Sequence, residues 1–134
     1  NGGTTYTGFY DNYNNRGNKI VISARGNAGY VNFVEKDFWA GNSCYVIESK
    51  YNIKFLYYQI KYKQNSLYKM QQLATIPSIL KKDIEDIDLY IPSIEEQTKI
   101  AKILSTYDSL IDKETQILNQ LKLMKLGLLQ QMFI

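Results

Sequence analysis

Apolar positions in the last third of the chain recur by sevens. Setting a at 100, 107, 114, 121 and 128 and d at 103, 110, 117, 124 and 131 collects Ile100, Ile103, Tyr107, Leu110, Glu114, Ile117, Leu121, Met124, Leu128 and Gln131, eight of the ten apolar. The e positions add Leu104, Ile111, Leu118 and Met132, which widens the stripe beyond a two-position seam. Pro92-Ser93-Ile94-Glu95-Glu96 marks the start. Ser93 can accept from the Glu96 N–H while the Glu96 carboxylate reaches back to the Ser93 N–H. Glu95 and Glu96 also place negative charge in the first turn, where the helix dipole favours it. No proline follows, so the pattern predicts one helix over 95–133, roughly 58 Å long at about 1.5 Å per residue. Gly127 weakens its last turns and is a place for a kink or an early end.

So long a stripe needs a helical partner of similar length, and Pro77 and Pro92 hold any second helix in the preceding residues well short of that. The partner is expected from another chain or from chain outside this sequence, meeting Ile100, Ile103, Leu104, Tyr107, Leu110, Ile111, Ile117, Leu118, Leu121, Met124 and Leu128. The alternative is that the helix packs on its own domain. Glu114 at an a position would be costly in a dry seam, and is expected to fix register or to face a basic partner.

Upstream the period changes. Residues 1–18 are polar and rich in Gly, Asn and Tyr, with neither period. Lys19–Ala24 and Tyr30–Val34 read as strands joined through Arg25–Gly29 by a hairpin or a wider loop, and Ser43–Glu48 as a third. Ile53, Leu56, Tyr57 and Ile60 fall at helical spacing, which predicts a helix over 53–70 with Leu67 continuing its face. Tyr57, Tyr58 and Tyr62 are expected to pack on that helix, and Phe38 and Trp39 to anchor the core. Ile87, Leu89 and Ile91 alternate and predict a short strand before Pro92.

Two sets of residues carry a family resemblance. The segment P-S-I-E-E-Q-x-K-I-A-x-I-L-S-x-x-D-x-L-I, followed by LKLMKLGLLQQMF, closely resembles the conserved helix that ends each half of the specificity (S) subunits of Type I restriction–modification systems. Gly2-Gly3-Thr4, Arg25-Gly26-Asn27-Ala28-Gly29-Tyr30, Phe38-Trp39-Ala40-Gly41, Cys44-Tyr45-Val46 and Ala74-Thr75-Ile76-Pro77-Ser78 resemble landmarks of that family's target recognition domain, in the family order. The resemblance implies an α+β fold: a small mixed target-recognition domain over 1–91, then a dimerising and spacing helix over 92–134 that pairs as an antiparallel coiled coil. It implies a half S subunit that reads one part of a bipartite double-stranded DNA target. It also implies partners: methyltransferase subunits, restriction subunits, and a second copy or second S half. S-adenosylmethionine, ATP and Mg²⁺ are then expected only in those partner subunits, with no cofactor or metal in this chain.

Charge agrees with a DNA-binding head. Residues 1–82 hold eleven Lys/Arg against four Asp/Glu, and 83–134 hold five against nine, so a basic part precedes a mildly acidic one. A solvated lysine-rich face would have the same composition. The single cysteine, Cys44, excludes an intrachain disulfide, is expected in the core and suits a reducing cytoplasm. No apolar run is long enough for a membrane span and no charged-then-apolar leader opens the chain. Starting at Asn1 without a methionine, the sequence is expected to lack upstream residues.

Few residues could do chemistry. The absence of histidine removes the commonest general base and the usual triads. Gly26-Asn27-Ala28-Gly29 leads into no Gly-Lys-Ser/Thr, and as a clamp of the KH type it would lie between the wrong elements. Both prolines precede serine, which excludes the Pro-Pro-aromatic loop of a DNA amino-methyltransferase. A Mg²⁺-dependent nuclease built on Asp37, Glu48 and Lys50 is the enzymatic alternative, and a coiled-coil adaptor without DNA affinity is the structural one. Binding carries the stronger signal: forked Arg and Asn side chains match guanine and adenine edges, and lysines position phosphates. The candidate DNA-binding residues are Tyr13, Asn14, Arg16, Arg25, Asn27, Tyr30, Lys61, Lys63, Lys69, Gln71, Gln72 and Lys81.

Overall fold

The computed structural model describes residues 2–133; Asn1 and Ile134, the outer ends of the two expected segments, lie outside them. Strands β1 (Lys19–Ser23), β2 (Val31–Val34) and β3 (Cys44–Ile47) form an antiparallel sheet in the order β2-β1-β3. Alternation along β1 puts Ile20 and Ile22 on one face, both fully buried. Helix α1 (Ile53–Tyr62) covers that face with Leu56 and Ile60, and Val31, Ala28, Leu67 and Ile79 complete the core. Asn52 starts α1, its side-chain oxygen accepting from the Phe55 N–H at 3.1 Å.

The helix predicted over 53–70 is two helices. The chain turns at Lys63, and α2 (Gln64–Lys69) begins immediately. Apolar spacing is continuous across Lys63, so periodicity could not show the break. The turn brings Leu67 into the core beside Gly29 and lets the Gln64 side chain accept the Val31 N–H at 2.9 Å. A short α3 (Lys81–Glu85), not anticipated, has Asp83 accepting from the Leu80 N–H at 3.1 Å. Residues 87–91 form no strand. They run beside α1, which offers no ladder to pair with, and Tyr90 gives its carbonyl to Gln59 Nε2 instead. Of the expected core anchors, Trp39 is 54 % exposed, edge-on to Tyr10, and Phe38 is half-buried outside the core cluster, while Tyr62, expected to pack on its helix, is 87 % exposed. Cys44 is half-buried, at the sheet edge rather than in the core.

Helix α4 (Ile94–Met132) runs 39 residues, straight through Gly127. Ser93 accepts from the Glu96 N–H at 3.3 Å; of the two reciprocal bonds expected there, only this one forms. α4 meets the head through one narrow face, on which Gln97 and Ala101 are buried. Gln97 accepts from the Asn52 N–H at 3.0 Å and donates to the Pro92 carbonyl at 2.9 Å. One turn on, the Tyr58 hydroxyl donates to Asp108 at 2.6 Å and lies 3.2 Å from Ser105 Oγ.

At about 100° per residue, Gln97, Ala101, Ser105 and Asp108 share one side of the rod, and the a and d positions fall outside it. Among the described residues the seam is therefore uncovered. Ile103, Leu104, Tyr107, Leu110, Ile111, Ile117, Leu118, Leu121, Met124 and Leu128 are 37–64 % exposed, and only Ile100 of the predicted contact set is half-buried. From Thr106 to Phe133 every residue but Gly127 is exposed. The head holds its own rod by a polar face and borders the stripe only at Ile100 and Leu104, so the reading in which the stripe packs on its own domain does not apply to the rest of it.

Candidate nucleic-acid interface

Three loops meet where β1 ends and β2 begins. The Asn27 N–H donates to the Gly2 carbonyl at 2.9 Å, the Gly26 N–H to the Pro77 carbonyl at 2.9 Å, and the Ile79 N–H to the Ala24 carbonyl at 3.0 Å. Gln72 and Ser78 exchange backbone bonds across the third loop at 2.8 and 3.2 Å. Gly2 is needed there: its φ is +56°, and a Cβ would sit 2.4 Å from the Arg25 carbonyl oxygen. This bracing leaves Arg25, Asn27 and Gln72 exposed on adjoining loops, with Lys69 exposed just before them. Gln71 lies among them, but its amide is spent holding the Ala28 carbonyl at 2.5 Å.

Tyr13, Asn14 and Arg16 are not part of that cluster. They sit at the other end of β1, about 16 Å away along a five-residue strand. The Asn14 amide donates to the Ala40 carbonyl at 2.9 Å and accepts from the Ala40 N–H at 2.8 Å, tying two loops together. Arg16 lies 4.8 Å over the Tyr13 ring and pairs with Asp37 at 2.8 Å. Lys61 points inward, bonding the Val31 carbonyl at 2.8 Å and Gln64 at 3.0 Å over the Tyr30 ring, and burial lowers its pKa. Lys63 lines an apolar pocket and Lys81 pairs with Glu85 at 3.3 Å.

The carboxylates of the nuclease alternative are also committed. Asp37 is held below the usual carboxylate range, first by the Gly17 N–H and then by Arg16. Glu48 is held down by Lys19 at 2.7 Å. Among the described residues no three Asp, Glu or Cys side chains converge where a metal ion could sit.

Residues 1–123 match the family described as the type I restriction modification DNA specificity domain. The chain belongs to that family. It is 31% identical over 125 residues to the type I restriction enzyme MjaVIII specificity subunit of Methanocaldococcus jannaschii, an alignment that spans 89% of this chain and 28% of that protein. With the MjaIX specificity subunit of the same organism it is 30% identical over 111 residues, 78% of this chain and 26% of the relative. The crystal structure of a type I restriction–modification S subunit from M. genitalium superposes with a TM-score of 0.76 at 26% identity, covering 88% of this chain and 33% of that one. The chain thus spans about a third of the length of the proteins it matches.

In this specificity domain the contact that sequence reasoning missed is the latch of Gln97, Ser105 and Asp108 on Asn52 and Tyr58. The spacing Gln97, Ala101, Ser105, Asp108 was a readable signal, a small and polar stripe flanking the apolar one. Burial, and after it Asp108, pushes the Tyr58 hydroxyl up to about 12 from its ordinary 10. The folded state therefore holds this proton more tightly than the unfolded chain does. The latch contributes fully below pH 10 and is lost as pH rises from there toward 12. Urea midpoints of the wild type and Tyr58→Phe should differ at pH 8 and draw closer as pH rises from 10 to 11.5; a gap unchanged across that range would show that Tyr58 does not hold the rod through its proton.

Proposed function

We propose that this chain is the DNA-reading half of a type I specificity subunit, joined through α4 to an antiparallel second rod from an identical chain or a second S half. The head reads one part of a bipartite duplex sequence, and the rod sets the unread spacer. The observation that carries this reading is the uncovered apolar seam facing away from the head. A rod of about 58 Å separates two heads by more than one duplex turn of about 34 Å, so both can address one face of the same DNA. Arg25, Asn27 and Gln72 reach base edges, and the exposed lysines hold phosphates. Methyltransferase and restriction subunits bind this scaffold and supply the catalysis, with their own S-adenosylmethionine, ATP and Mg²⁺; this chain is non-catalytic.

Enrichment of a random duplex pool on the purified chain tests the proposal. An isologous dimer presents the same reader twice, so the expected product is an inverted pair of identical half-sites at one fixed spacing. Arg25→Ala should then lose about 1–3 kcal/mol of preference for the enriched duplex over a scrambled one. A pool without two spaced half-sites contradicts the reading, and equal losses on both duplexes make Arg25 a phosphate contact.

A further inference from the structure

We infer that the apolar pocket beside the head-proximal end of α4 is a seat for Leu129 and Met132 of a second copy of this chain, so that each head grips the far end of the other's rod. The inference rests on the antiparallel pairing proposed above and goes beyond it, since pairing of the seams alone leaves this pocket unused. The pocket is open, about 730 Å³ in volume, and is walled by Phe55 and Tyr62 of α1, by Leu89 and Tyr90, and by Ile100 and Leu104 of α4. That is room for two aliphatic side chains, on a head whose sheet-facing core is already filled.

The rod's geometry selects the occupant. Ile100 is an a position and Leu104 an e position, so the pocket adjoins the e edge of the seam. In an antiparallel pair, a layers face d layers and the two e edges lie side by side. The alignment that places Ile103 against Leu128, Tyr107 against Met124 and Leu110 against Leu121 keeps every a and d position of both rods in a layer. A shift of one heptad in either direction loses layers at both ends. In the full alignment, Lys125, an e position of the second copy, lies beside Leu104, while Gly127 falls on the opposite g edge. The turn just beyond carries Leu129 and Met132 on the e side, 45 % and 72 % exposed. Charge is complementary along the same edge. Asp88 lines the pocket and makes no ion pair among the described residues, while Lys125 and Lys122 lie about two and three turns before Met132.

A double-mutant cycle on the dimer dissociation constant tests the seat with the intact chain. Tyr90 and Met132 are both exposed in the single chain, so replacing them leaves the head folded. Tyr90→Ala and Met132→Ala are each expected to weaken the dimer on the order of 10- to 100-fold, because each change occurs twice and uncovers apolar area. The double variant should be far tighter than the product of the two effects predicts, since either change alone empties the same seat. Single variants that dimerise like the wild type, or effects that multiply, overturn the seat and leave the antiparallel pairing intact. A wild-type chain that never dimerises overturns the pairing itself, and is told apart by the unmutated control.

Discussion

Replacing Leu110 and Ile117 together by aspartate should leave the chain monomeric at every accessible concentration. Both side chains lie on the free side of α4, about half exposed, and neither touches the head. In the antiparallel alignment each occurs twice near the middle of the rod, Leu110 against Leu121 and Ile117 against Glu114. Four carboxylates would then enter the seam close to the existing Glu114 pair, where low dielectric makes unpaired charge costly. A loss of more than a thousandfold in dimer affinity is the expected scale. Light scattering on a sizing column reads the mass, and circular dichroism shows whether the sheet and α1 persist. The head should survive, because its core of Ile20, Ile22, Val31, Leu56, Ile60 and Leu67 contains no residue of α4. A double variant that still dimerises would place the interface elsewhere.

The second large effect is on salt dependence. The head holds eleven Lys/Arg. Arg16, Lys19, Lys54 and Lys81 are paired with acids, and Lys61 is turned inward. Arg25, Lys36, Lys50, Lys63, Lys69 and Lys82 make no ion pair among the described residues. If half of these face phosphates, a dimer makes about six contacts, and affinity for a duplex should fall about 10³-fold between 50 and 200 mM salt. The Leu110/Ile117 variant, with one head, should show half the slope of log affinity against log salt. Titrations by fluorescence anisotropy measure both slopes. A flat dependence would mean that the basic face is merely solvated, as in an adaptor without DNA affinity, and equal slopes would mean that the second head does not bind.

What sequence could reveal here follows from how local each feature is. The start of α4 at Ser93, the heptads and the strands around Ile20, Val31 and Val46 depend on neighbouring residues, and their pattern could be read directly. The turn at Lys63 was hidden because it is imposed by Leu67 and Gln64 reaching the sheet, a tertiary demand with no change of period. The alternation at Ile87, Leu89 and Ile91 was real, yet it reflects packing on α1 without a ladder. Composition named the donors of the candidate interface but not their partners. Asn14 and Lys61 look like Arg25 and Lys69 in sequence, and only the fold shows two of them spent on Ala40 and Val31 while the other two stay exposed. The loop cluster of Arg25, Asn27 and Gln72 joins residues nearly fifty positions apart, through bonds from Gly26 to Pro77 and from Ile79 to Ala24.

Sedimentation equilibrium of the unaltered chain from micromolar to millimolar concentration tests the central claim most directly. Two rods closing one apolar seam predict a species of twice 15.6 kDa across most of that range, converting to the single mass only on dilution. A mass of 15.6 kDa maintained at the highest concentration would contradict it.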